Sequence, residues 1–209
     1  AHFEKIMSMQ AEPMRLYALA YGQFHDARYL QAVRDLHRYV TTFLRSPEGA
    51  FYTSQDADLV KGKHSEEYFA LNDGARRKLG IPAVDKHRYS RENGWMINAL
   101  ATAYAMTGER AYLDDAQRAA RWIIANRSLP GGGFRHDEKD VAGPYLEDTL
   151  AMSDAFLALY AIFTTNWPIW LHLMIWLPLA GGLWLLAMRV FKSLLIAASR
   201  RRKLAIGTD

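Results

Sequence analysis

Ser46-Pro47-Glu48-Gly49-Ala50-Phe51 and, 83 positions further on, Leu129-Pro130-Gly131-Gly132-Gly133-Phe134 decide the fold, because both stretches carry proline, glycine and phenylalanine in one register. The register continues upstream without a gap: Tyr21 falls on Tyr104, Tyr29 on Tyr112 and Leu30 on Leu113. Residues 9–24 hold Met14, Tyr17, Ala18, Tyr21 and Phe24 at helical spacing, and residues 27–44 hold Leu30, Val33, Leu36, Val40 and Phe43. Asp26 stands between the two runs, where it can cap the second. Residues 92–107 and 110–127 repeat the pair. The unit predicted is therefore an αα-hairpin closed by a Pro-x-Gly-x-Phe turn. Such hairpins bury their apolar faces only by stacking on one another. The fold class expected is all-α, with stacked αα-hairpins curving into a toroid or solenoid rather than a simple bundle.

Between the two units, residues 65–79 predict a shorter helix, started by Ser65 and stopped by Gly80 and Pro82. A third unit begins at residues 145–163 and stops in mid-hairpin. Leu157-Ala158-Leu159-Tyr160 occupies the place of Tyr21 and Tyr104, but no turn and Tyr-Leu pair follow it. The chain runs instead into Trp167-Pro168 and then 22 residues, 167–188, without a formally charged side chain, His172 aside. A helix of that length covers the hydrocarbon core of a bilayer. Tryptophans crowd one end, and Arg189, Lys192 and Arg200-Arg201-Arg202-Lys203 crowd the other. A single transmembrane helix with a cytoplasmic C-terminus is expected, with a kink near Pro178 and an amphipathic surface helix over 190–203. The domain boundary falls between residues 163 and 164.

The charge divides the same way. Residues 167–209 carry six basic groups and one acid, whereas residues 1–166 carry 20 basic and 21 acidic groups. A balanced body gives no reason to expect a nucleic-acid partner. With no cysteine, disulfide, thiolate-metal and dithiol chemistry are excluded for this chain. His64, Glu66 and Glu67 lack the helical spacing of metal ligands, and the glycines at 131–133 lack the Lys-Ser or Lys-Thr of a phosphate loop. Neither a metal nor a cofactor is expected.

His2-Phe3-Glu4-Lys5, the Ser46–Tyr52 stretch, Gln55-Asp56-Ala57-Asp58, Glu92-Asn93-Gly94-Trp95-Met96-Ile97 and Leu146-Glu147-Asp148 come in an order that resembles the thioredoxin-domain-containing family of YyaL-like and spermatogenesis-associated proteins. The resemblance covers residues 1–160. It implies a middle portion of a six-hairpin, glycosidase-like α/α toroid, with the thioredoxin-like domain upstream of Ala1. The acidic-Gly-x-Phe-Tyr stretch usual after the double-Asp motif is replaced by Lys61-Gly62-Lys63-His64-Ser65-Glu66-Glu67-Tyr68-Phe69. Trp167-Pro168-x-Trp170-x-His172, Trp176-Leu177-Pro178, Arg189 and Lys192 resemble a different family, small bacterial inner-membrane proteins known only as domain of unknown function 983. A bacterial inner-membrane location follows from that second resemblance, and two families meeting inside a hairpin suggest a fusion.

Candidate chemistry rests on carboxylates. Asp56 and Asp58 follow Phe51, and Asp137, Glu138 and Asp140 follow Phe134, so the repeat predicts both acidic groups at one end of the stack. Paired carboxylates serve glycoside chemistry as acid and as base or nucleophile. Asp56, Asp58, Glu147 and Asp148 are the catalytic candidates, and His2, Glu4, Asp137 and Trp95 the substrate-binding ones. Acidic loop tips are also simply well solvated, and acids at a helix start favour the dipole without any function. The double-Asp stretch follows no buried parallel strand, which argues against a nucleotide-sugar site. The expected partners are the lipid bilayer, a carbohydrate through fold resemblance alone, and a protein on exposed hairpin faces. The alternatives are a helical-repeat interaction module at the membrane without catalysis, or an artefactual fusion of two families.

Overall fold

The computed structural model describes residues 4–139, 143–165 and 167–206, with side chains as far as Ser193. It divides into two compact units, Ala1–Phe163 and Thr164–Asp209.

In the first unit, helices α1 (Ser8–Phe24) and α2 (Ala27–Tyr39) form one hairpin, α5 (Ser90–Thr107) and α6 (Arg110–Arg127) the next, and α7 (Leu146–Thr164) begins a third. Helix α1 packs on α5, and each also packs on its own hairpin partner, α2 and α6. The α1–α5 seam is the centre of the core, where Met14, Ala18, Met96, Ile97, Leu100 and Ala103 are fully buried. Asp26 caps α2 as expected, its side chain accepting from the Arg28 N–H at 2.8 Å. The α1–α2 turn places His25 at φ 53°, and Gly108 takes the equivalent left-handed position at φ 71°.

The repeat holds at the level of single hydrogen bonds. Ser46 N–H donates to Ala50 O at 2.7 Å and Leu129 N–H to Gly133 O at 3.0 Å. Gly49 bonds Ser46 as Gly132 bonds Leu129, and Tyr52 bonds Leu44 as Arg135 bonds Arg127. Gly49 and Gly132 share a left-handed backbone, φ 99° and 105°, that other residues avoid. Met7 N–H reaches Thr53 O, and Ser90 N–H reaches His136 O, so each closing loop returns to the start of its own first helix.

Four local expectations are corrected. Residues 65–79 form two helices, α3 (Glu66–Ala70) and α4 (Asp73–Leu79), because Asn72 caps the second by accepting from the Ala75 N–H at 2.9 Å. Ser65 does not cap α3; its hydroxyl accepts from Leu59 N–H and donates to Lys63 O. An unexpected antiparallel sheet joins β1 (Lys5–Ile6), β2 (Ser54–Gln55) and β3 (Val84–Asp85), with Lys5 opposite Gln55 and Ser54 opposite Asp85. Helix α2 ends in a π-helical turn, Val40–Leu44, before the closing loop.

In the second unit, α8 runs unbroken from Ile169 to Ile206 through Pro178, so the separate helix expected over 190–203 is part of it. Its segment Ile169–Ser193 is 25 residues long, apolar and unburied within the chain, with a mean hydropathy of 1.7. It is long and apolar enough to cross a membrane, spanning about 37 Å against a hydrocarbon core of about 30 Å.

Candidate functional site

Two cavities lie along the first helices of the hairpins. The first, about 370 Å³, is lined by Ser8, Ala11, Glu12 and Arg15 of α1, Trp95 and Asn98 of α5, and Asp154 of α7. Trp95 sits one turn into α5, half-buried against the core, with the Arg91 guanidinium 4.9 Å from its ring centre. Arg15 clamps Glu12 with two bonds, at 2.8 and 3.1 Å, and those bonds hold the Glu12 carboxyl below its ordinary value. One face therefore presents an indole, an amide, an ion pair and a second carboxylate.

The second cavity, about 350 Å³, opens at the start of α7 and is lined by Arg91, His136, Tyr145, Leu146, Glu147 and Asp148. Asp148 is wholly buried, accepting from the Arg91 backbone N–H at 2.9 Å and lying 2.9 Å from His136 Nδ1. Arg91 spans the site, bonding Glu147 at 2.6 Å and the buried Glu92 at 2.7 Å; although burial opposes its charge, the two carboxylates raise its pKa. His136 stacks on Tyr89 at 4.1 Å between ring centres, and Tyr89 stacks in turn on His87 at 5.4 Å. His87 Nδ1 meets Asp85 at 2.5 Å while its Nε2 lies 3.9 Å from Asp137, and these carboxylates raise the imidazole pKa, the Asp85 hydrogen bond foremost.

The structure thus gathers Asp137, Glu147 and Asp148 around residues that sequence reasoning passed over: His87, Tyr89, Arg91 and His136. It leaves Asp56 and Asp58 on the loop after β2, where Asp56 Oδ1 accepts the Asp58 N–H at 3.0 Å and Asp56 N–H donates to Ala83 O. That Asx turn supports the loop, and neither residue lines the two cavities. Asp56 and Asp137 each lie within three residues of a closing-loop residue that bonds the start of a first helix, Thr53 to Met7 and His136 to Ser90. Glu4 is exposed ahead of β1; His2 and Asp140 lie outside the described residues. Among the described residues, no three His, Asp or Glu side chains converge as metal ligands. Glu12, Arg15, Asn98 and Asp154 were also missed. Glu12 and Arg15 are one turn apart on α1, Asn98 and Asp154 stand singly on α5 and α7, and a sequence alone cannot separate such a cleft wall from ordinary solvated surface.

Comparison with known proteins agrees on the fold. A family model described as a protein of unknown function, DUF983, matches residues 134–199. That match begins well upstream of Trp167 and includes all of α7, so the similarity is not confined to the apolar tail. No curated protein matches the chain. Among solved structures, a sugar epimerase from a ruminal bacterium is 17% identical with a TM-score of 0.58, over 75% of this chain and 39% of its own. Cellobiose 2-epimerase from Spirochaeta thermophila is 17% identical with a TM-score of 0.59, over 75% and 38%. A glycoside hydrolase family 76 mannosidase from Bacteroides thetaiotaomicron is 18% identical with a TM-score of 0.55, over 77% and 40%. The chain spans about two-fifths of the length of these structures. Its first unit is a partial six-hairpin α/α toroid, followed by one apolar C-terminal helix.

Proposed function

We propose that the hairpin unit is a carbohydrate-binding portion of a six-hairpin toroid, held at a bacterial inner membrane by α8. The observation that carries this reading is the Trp95 cavity. An indole face suits the apolar face of a pyranose, and Glu12, Arg15, Asn98 and Asp154 offer acceptors and donors for its hydroxyls. The motif stretches from His2 to Asp148 support placing the unit in the thioredoxin-domain-containing family, with its remaining hairpins supplied by a longer chain or a partner. Glu147, which lines the second cavity, and Asp137, beside Arg127 and His87, remain candidate acid–base groups. Asp148, with its carboxylate engaged by Arg91 and His136, serves as a positioning residue. Asp56 and Asp58 would act only if a substrate reached across from the Trp95 cavity to their loop.

The test is isothermal titration of the full chain in detergent with cello-oligosaccharides and α-mannan oligosaccharides, substrate types that the toroid relatives' names suggest. Saturable binding weakened at least about tenfold by Trp95→Ala, in a variant that still unfolds cooperatively, supports the reading. The absence of saturable binding to either series removes it. For the membrane half, a reporter fused after Asp209 should be active only on the cytoplasmic side, since the basic end of α8 resists translocation. A second reading, a docking module for another protein, is favoured by one observation: Leu146, Leu150 and Leu157 stand more than half exposed along α7. Cross-linking from those positions to a second protein, with no sugar bound, would favour it.

A further inference from the structure

A third cavity, about 360 Å³, lies away from the first helices, under the first closing loop. Thr41, Arg45, Ser46, Pro47 and Gly49 line it from the first hairpin and Arg118 from the second. No acid is among its lining residues. Two guanidiniums enter it, and both are held in place from behind by one buried carboxylate. Asp115 Oδ1 accepts from Arg45 Nη1 at 2.8 Å and from Arg118 Nη2, while Oδ2 lies 2.8 Å from His37 Nε2. Each guanidinium makes this one hydrogen bond among the described residues and keeps further N–H donors. Both remain partly solvent-exposed, Arg45 by 35% and Arg118 by 49%. Two cations against one anion leave the pocket with a net positive charge.

Glu48, between Pro47 and Gly49, pairs with Arg88 at 3.2 Å and does not line the pocket. The Ser46 hydroxyl is buried; it lies near enough to Glu48 to help lower that carboxyl, after Glu48's own backbone N–H, yet closes no hydrogen bond of good geometry. Gly49 is fixed by its left-handed backbone, and a Cβ there would press on Arg118 at 3.0 Å.

The second closing loop is a built-in control. It repeats the same backbone bonds, but Ile124 stands in the place of Thr41, Ser128 in that of Arg45 and Leu129 in that of Ser46. The turn therefore does not need the arginine or the hydroxyls. We infer that the first closing loop is a binding site for a phosphate-class oxyanion, held by Arg45 and Arg118 with the Ser46 hydroxyl, while Thr41, whose hydroxyl donates to His37 O at 2.7 Å, only lines the pocket. Guanidinium forks match tetrahedral oxyanions, and the volume leaves room for an attached organic body.

Two probes distinguish a free anion from an ester: inorganic phosphate and glucose 6-phosphate, each titrated calorimetrically into the full chain in detergent. Saturable binding of either supports the site, and a preference for the ester assigns an organic phosphate as its ligand. Arg118→Gln should weaken binding at least about tenfold while Arg45 still pairs with Asp115. Because that change also touches the Asp115 clamp, the double variant T41I/S46L copies the second loop and spares the clamp. It should lose binding to a similar extent, because its apolar side chains fill the pocket and the Ser46 donor is gone, while the variant still unfolds cooperatively. No saturable heat with either probe up to about 10 mM overturns the inference, as does unaltered affinity in folded T41I/S46L.

Discussion

Phe51 and Phe134 close turns with the same backbone bonds, yet Phe51 is wholly buried and Phe134 only half-buried. The difference lies in the unit stacked beyond each turn. Phe51 is roofed by a complete second hairpin, and its backbone is gripped by Asn93, which accepts from Phe51 N–H at 2.7 Å and donates to Phe51 O at 3.0 Å. Phe134 meets α7 among the described residues, with Phe156 at 5.7 Å between ring centres and its N–H donating a longer 3.3 Å bond to Thr149 Oγ1. In a stack, a residue's burial is set by its neighbouring unit as much as by its own. The same turn residue is therefore core in the first unit and core edge in the second.

The comparison can be broken most directly at those rings. Phe51→Ala should cost about 3–5 kcal/mol, as for a fully buried aromatic, and Phe134→Ala about half of that. Equal losses in chemical denaturation would mean that the third helix covers its loop as well as a full hairpin does. The next largest effect concerns the seams. Gly94 lies so close to α7 that a Cβ would meet the Ala151 carbonyl carbon at 2.6 Å, while Ala11 holds the matching position on α1. Gly94→Ala should cost about 1–3 kcal/mol through forced separation of α5 and α7, although alanine is the better helix former. A stabilised variant would show that seam to be slack.

Acid should loosen the first seam by a smaller amount. Burial opposes the Asp115 charge, but bonds from His37 and Arg118 and the charge of Arg45 outweigh it and hold the carboxyl at about 2, against an ordinary 3.8. The folded value is depressed, so the stabilisation is complete above about pH 5 and is lost as pH falls towards 2, amounting to about 2 kcal/mol. Denaturation midpoints across that range should flatten in Asp115→Asn, relative to the parent chain at each pH. A parallel slope in both proteins would exclude Asp115 as the source.

Much of this fold is legible in the residues themselves. Tyr21 with Tyr104, the Pro-x-Gly-x-Phe turns and the Asp26 cap locate the hairpins because helix periodicity and turn chemistry are local. The sheet is not legible: its strands are two residues each, too short for alternation to register, and their pairing joins positions as distant as Lys5 and Val84 through β2. The interruption at Leu71-Asn72 is hidden because Asn72 reads equally as a tolerated helix residue and as a cap. At the candidate site, charge alone points to Asp137, Glu147 and Asp148. Arg91 and His136 escape notice because their importance arises only when α5 and α7 come side by side.

The excursion between the two complete hairpins has a practical meaning. The small sheet brings Gln55 and Val84 together and the segment between them packs back through Phe69 on Lys5 and Arg77 on Phe43, but its tip at Val60–Lys63 is a tight turn with nothing within 4 Å of a Cβ on Gly62. Added length there should leave the hairpin register undisturbed. Insertions acquired over evolution would be tolerated at that tip more readily than in either closing loop. For the experimenter, Gly62 is the natural place to graft an epitope or fluorophore without loosening the stack.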